Sequence, residues 1–100
     1  MKASFIKKLA ALRREIDDQD QRLIQVLAKR RDLARRIMQV KIAEGRAFLD
    51  DDRVREIVET RTAWAKKENL DTDFIAELFQ SLMDGNIKFE EEKLQKRHGN

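Results

Sequence analysis

Cysteine, proline and tyrosine are all absent from these 100 residues, and only three glycines occur. Without Cys, the chain has neither disulfides nor thiolate metal ligands. Without Pro, nothing forces a break into a helical pattern, and three glycines leave few places for tight turns. The single histidine, His98, sits in the polar tail. There is therefore no Ser/His/Asp or Cys/His arrangement, no His/Cys metal cluster and no Gly-rich phosphate loop. Long apolar runs are missing too. The basic opening MKASFIKKLAALRREI interrupts every apolar stretch with charge, so it reads as neither a signal peptide nor a membrane span. The default compartment is the cytoplasm.

What is present is charged and hydrophobic residues in equal measure, 41% each. A mixture rich in Leu, Ala, Glu, Lys and Arg reads as long helices joined by few turns, an all-α chain. One hundred residues make a single domain, 1–100, that buries roughly two-thirds of its unfolded surface, so its own core is small. The net charge of +3 conceals an asymmetry: residues 1–46 carry 13 Lys/Arg against 6 Asp/Glu, and residues 47–100 carry 9 against 13. A basic first half suits an anionic partner, either nucleic acid or a small polyanion.

Leu9, Leu12, Ile16, Gln19, Leu23, Val26, Arg30, Leu33, Ile37 and Val40 follow steps of three and four without a slip. That is the seam of one very long helix, from about Ser4 to Ala43, packed against partner helices and stopped at Gly45. Forty residues at 1.5 Å each span about 60 Å, whereas a domain of this size has a radius of gyration near 13 Å. A single chain cannot cover such a rod, and a two-fold homodimer is the commonest remedy. A second helix starts in the cluster Asp50-Asp51-Asp52, whose carboxylates suit an N-terminus better than a metal site. It shows a stripe of Val54, Ile57, Val58, Arg61 and Trp64, with Trp64 expected in the core, and closes near Lys66 and Lys67. A third follows the N-cap Asp71, with Leu70 and Ile75 placed for a hydrophobic staple. Its stripe is Ile75, Leu78, Phe79, Leu82, Met83, Asn86 and Glu90. The polar tail from about Lys96 frays.

Among the polar residues that stand where apolar ones are expected are Arg30, Asn86 and Glu90. Lys41 lies eleven residues after Arg30, about three turns, and points the same way. Uncompensated buried charge is costly, and three arrangements answer it. One is a structural polar layer, with Arg30 paired to a carboxylate such as Glu90 in a helical dimer without catalytic activity. Another is an anion pocket between helices. The third is an exposed basic face tracking phosphates, weakened by the acids Asp17, Asp18, Asp20 and Asp32 on the same helix and by the lack of interleaved aromatics. Arg13, 17 residues before Arg30, points elsewhere, so in a pocket it serves the other subunit.

Taken together, the segments LAALRREIDDQDQRLIQVLAKRRDLARRIMQVK, DDDRV and LDTDFIAELFQSLMDGNI resemble the all-helical class of chorismate mutases, from about Leu9 to Leu94. The spacing of Arg13, Arg30, Lys41, Asp50 and Arg53 carries more of the likeness than any one of them. The resemblance implies an intertwined helical homodimer with two active sites, using no cofactor and no metal. It implies conversion of chorismate to prephenate in aromatic amino-acid or related secondary metabolism. By resemblance, Arg13 of one subunit and Arg30 of the other bind the two carboxylates of the dicarboxylate substrate. Lys41 and Glu90 meet the ether oxygen, Asp50 lies beside the ring hydroxyl, Arg53 supports the site and Asn86 helps hold a carboxylate. Neither nucleic acid nor membrane is an implied partner.

Three positions depart from the family's pattern. Val54 stands where a Glu usually contacts the ring hydroxyl, Asn86 where Ser is common, and Glu90 where many members have Gln. An apolar residue at 54, with RTAWAKKENLD, is similar to the related isochorismate-pyruvate lyases. Those lyases keep Gln at the position of Glu90. A mutase acting on 4-amino-4-deoxychorismate is a further alternative.

Overall fold

The computed structural model describes residues 2–46 and 50–98, and the side chains of Phe89, Glu90, Lys93, Leu94, Arg97 and His98 lie outside that description. Three helices follow one another: α1, Lys2–Ala43; α2, Asp51–Lys67; and α3, Thr72–His98. The all-α expectation holds. By their internal contacts the residues fall into two units, Met1–Leu33 and Ala34–Asn100. Among the described residues no helix is long and apolar enough to cross a membrane.

The ends of the helices follow local chemistry. Asp50 is the N-cap of α2, in extended backbone, and its carboxylate accepts the Arg53 N–H. The Asp71 carboxylate accepts the Phe74 N–H at 3.0 Å and starts α3 in the same way, each satisfying a donor that the first turn leaves open. Leu70 keeps 52% of its surface open while Ile75 is buried, so little of a staple forms. At the other ends, Gly45 and Asn69 take left-handed backbone, with φ of 66° and 58°. After α1, the Arg46 N–H reaches the Lys41 carbonyl (2.8 Å) and the Gly45 N–H reaches that of Ile42 (3.1 Å). After α2, the Leu70 N–H reaches the Ala65 carbonyl (2.9 Å) and the Asn69 N–H that of Lys66 (3.2 Å). Both are Schellman closures.

Gly45→Ala tests the first of these. A Cβ at Gly45 meets nothing within 4 Å, so its cost is purely conformational, about 1–2 kcal/mol for an L-residue in this region. A lowered denaturation midpoint is expected, with Asn69→Gly neutral or slightly stabilising; an unchanged midpoint for Gly45→Ala would remove the closure from the account.

Two boundaries extend beyond the sequence reading. α1 begins at Lys2 rather than Ser4, because no Pro or Gly precedes Ser4 to stop it. α3 continues to His98 rather than giving way near Lys96. The stretch after Glu90 is made of strong helix formers, with Glu92 four residues before Lys96 and cations near the negative end of the dipole.

In the unit Met1–Leu33, no described residue is buried. Leu12, Ile16, Leu23 and Val26 all stand open, at 54 to 62% exposure. In the unit Ala34–Asn100, α2 and α3 pack on each other. Its buried residues among those described are Ile57 and Ala65 of α2, Ile75 and Met83 of α3, and Met38 of α1. Within this part of α1 the covered face runs through Ala34, Met38 and Lys41, whereas Ile37 and Val40 are exposed. The face that the chain itself covers is thus one position, about 100°, from the heptad seam.

Candidate active site

The first turn of α2 gathers three of the expected site residues. Asp50 turns one carboxylate oxygen to the Arg53 N–H (3.1 Å), and its carbonyl accepts the Val54 N–H (3.0 Å). The fold therefore uses Asp50 as a helix cap, which fixes where its remaining acceptor capacity lies. The Arg53 guanidinium pairs with Glu56, one turn further along. Asp52 lies near Arg55 instead (3.9 Å). Val54 is half-buried, so the turn presents a cation and a cap carboxylate beside an apolar side chain. No group of His, Cys, Asp or Glu among the described residues is arranged to hold a metal ion.

Lys41 occupies the last turn of α1 and is half-buried, with its own carbonyl tied into the Gly45 closure. A cation there is favoured by the helix dipole. Asn86 is half-buried on α3. Glu90 follows it by four residues on the same helix and hence on the same side; the Glu90 side chain lies outside the described residues.

Arg30 is half-buried and Arg13 is exposed. Seventeen residues of α1 separate them, about 26 Å along the axis and roughly 100° around it. One chain does not bring these two guanidinium groups to a single small dicarboxylate.

Two features went unrecognised in the sequence. Arg61, counted in the α2 stripe, lays its guanidinium over the Trp64 ring (4.8 Å to the centroid) and the Phe79 ring of α3 (5.8 Å), and donates to Thr60 Oγ1 (2.7 Å). It roofs the α2–α3 joint through its ring contacts. Trp64, expected in the core, is 56% exposed, because Arg61 covers one face of its indole and the rest stays in solvent. The Arg-x-x-Trp spacing was the available signal. The second feature is Glu56, which pairs with Arg53 across an i,i+3 spacing that other acids nearby could also have filled.

A set of cations without a paired nucleophile suits binding and electrostatic stabilisation of an anion more than covalent chemistry. Comparison with known proteins bears on which anion. The chain is 36% identical over 88 residues to a bifunctional chorismate mutase/prephenate dehydratase of Enterobacter agglomerans, covering 88% of this chain and 23% of that protein. It is 33% identical over 87 residues to the protein of that description from Escherichia coli K12, covering 87% and 22%. It is also 28% identical over 91 residues to a chorismate mutase of Methanocaldococcus jannaschii, covering 91% of this chain and 92% of that one. The chain thus spans under a quarter of the length of the bifunctional relatives and nearly all of the archaeal one. The sequence profile described as chorismate mutase type II matches residues 12–91, a stretch that contains Arg13, Arg30, Lys41, Asp50, Arg53, Val54, Asn86 and Glu90. The chain belongs to the chorismate mutase type II family.

Proposed function

We propose that this chain is a cytoplasmic chorismate mutase acting as a homodimer, with Arg13 of one subunit and Arg30 of the other on the carboxylates of each bound chorismate. The observation that carries the reading is the family match over residues 12–91, a stretch that includes Arg13, Arg30, Lys41 and Arg53. The pericyclic step breaks the ether C–O bond as a new C–C bond forms, and requires no nucleophile, general base, metal or cofactor. The protein's task is to hold the flexible side chain over the ring and to stabilise negative charge growing on the ether oxygen. Lys41 supplies a cation and Glu90, when protonated, a hydrogen-bond donor. Asn86 helps hold a carboxylate, Asp50 lies beside the ring hydroxyl and Arg53 supports the site.

Two further supports concern assembly. The open seam of Leu12, Ile16, Leu23 and Val26 needs a cover, and the roughly 26 Å between Arg13 and Arg30 requires that a shared pocket draw them from different copies. Sedimentation at low micromolar concentration is expected to give about twice the chain's 11.8 kDa. A stably folded monomer would remove both the dimer and the shared site.

A second reading, isochorismate-pyruvate lyase, is favoured by the half-buried apolar side chain of Val54. Incubating the protein separately with chorismate and isochorismate and identifying products separates the two: prephenate from the first, against pyruvate from the second. Val54→Glu refines the answer. Restoring an acceptor for the ring hydroxyl is expected to raise chorismate turnover at low substrate by about tenfold, the effect of a hydrogen bond of about 1.5 kcal/mol. No gain, together with efficient pyruvate release from isochorismate, would favour the lyase.

A further inference from the structure

We infer that Glu56 is a positioning residue for Arg53, a role that rests on the proposed placement of Arg53 beside the substrate. The acids around the start of α2 are divided among different tasks. Asp50 accepts the backbone N–H of Arg53 as the cap of α2, at 3.1 Å. Asp52 lies 3.9 Å from Arg55. Position 54, the immediate neighbour, is Val and offers no acceptor. Glu56 takes the guanidinium through Nη1 and Oε1. Three residues of helix place the two side chains on neighbouring rows one turn apart, so the pair draws Arg53 along α2 toward its C-terminus. A guanidinium has five donors in a rigid fork, and a carboxylate on one Nη leaves the remaining donors for a second anion.

The pair matters for binding more than for stability. The Arg53 and Glu56 side chains keep 49% and 61% of their surface exposed, and exposed ion pairs stabilise folds little. A free Arg side chain has much rotamer freedom to lose when it docks an anion, whereas one already directed by Glu56 loses less. An opposing effect exists: the Glu56 charge weakens the field that attracts a dianion. The sign of the change in KM on removing Glu56 distinguishes the two, and a rise is expected because orientation governs.

The test uses the whole protein, with chorismate as substrate, and four variants: Glu56→Ala, Glu56→Gln, Arg53→Ala and the double variant Arg53→Ala/Glu56→Ala. Glu56→Ala is expected to raise KM about fivefold, with kcat and the denaturation midpoint little changed. Glu56→Gln keeps an amide oxygen as acceptor and is expected to recover most of the loss. With Arg53 already removed, the Glu56 substitution is expected to add nothing. The inference is overturned if Ala and Gln at 56 both leave KM unchanged or both lower it. It is also overturned if the effects of 53 and 56 add independently, or if KM moves only alongside the midpoint. A wild-type protein without turnover of chorismate would reject the mutase reading itself, and this inference with it, whereas an active wild type with an insensitive Glu56 would reject this inference alone.

Discussion

Arg13→Ala and Arg30→Ala are each expected to lower kcat/KM for chorismate by about 10²–10³, the effect of removing one preorganised charge contact from a dry site. The more telling result comes from mixing the two inactive proteins under conditions of chain exchange. In a mixed dimer, one pocket loses both arginines and the other keeps both. Random exchange makes about half the dimers mixed, each with one intact site of two, so activity is expected to return to about a quarter of wild type. If Arg13 and Arg30 of one chain served the same pocket, every pocket of a mixed dimer would lack one arginine and no activity would return. About 26 Å of helix between them argues for the first outcome. An Arg13→Ala protein with full activity alone would remove Arg13 from the site.

Glu90 carries the second large effect, which appears as a pH profile. An amide at this position donates a hydrogen bond at any ordinary pH, but a carboxyl group donates only while protonated. In the proposed place beside the ether oxygen, an ionised Glu90 would also oppose the negative charge building there. The sign follows. The protonated, active form predominates below the Glu90 titration in the bound complex, so kcat is expected to fall as pH rises through it. Loss of one donor to a developing oxyanion corresponds to about 10²–10³ in rate. Glu90→Gln is expected to flatten the fall and keep substantial activity at neutral pH. Profiles of kcat from about pH 4.5 to 9, within the range where the fold persists, decide the matter. Identical shapes for the two proteins would exclude Glu90 as the ether-oxygen donor.

Much of the fold was legible because its signals are local. Asp50 and Asp71 announce helix starts through side chains that reach their own backbone, and Gly45 announces an end because its φ of 66° suits Gly. The heptad stripe identified a long helix but not which of its faces the chain would cover itself. Ala34 and Met38 form that face, and small or flexible residues give a weaker periodic signal than Leu33, Ile37 and Val40. Trp64 was misplaced in the core because the preference of aromatic residues for burial takes no account of a neighbouring guanidinium that can cover the ring. The identities of the candidate site residues were legible through resemblance, and the structure gathers Asp50, Arg53 and Val54 on one turn. Arg53's pairing with Glu56 was not legible, since several acids lie within reach and side-chain geometry selects among them. Whether Arg13 meets Arg30 is likewise not encoded in one chain's local pattern, because in the proposed arrangement it depends on a second copy.

The open face of α1 also has a thermodynamic meaning. Leu12, Ile16, Leu23 and Val26 leave their apolar surface in water in the lone chain, and in the proposed dimer their burial would be gained in association rather than in folding. Stability would then be a matter of mass action. For a chain that folds as it dimerises, each tenfold dilution removes about 1.4 kcal/mol from the apparent folding free energy. The working state of such a protein is set as much by the number of copies in the compartment as by any contact within one of them.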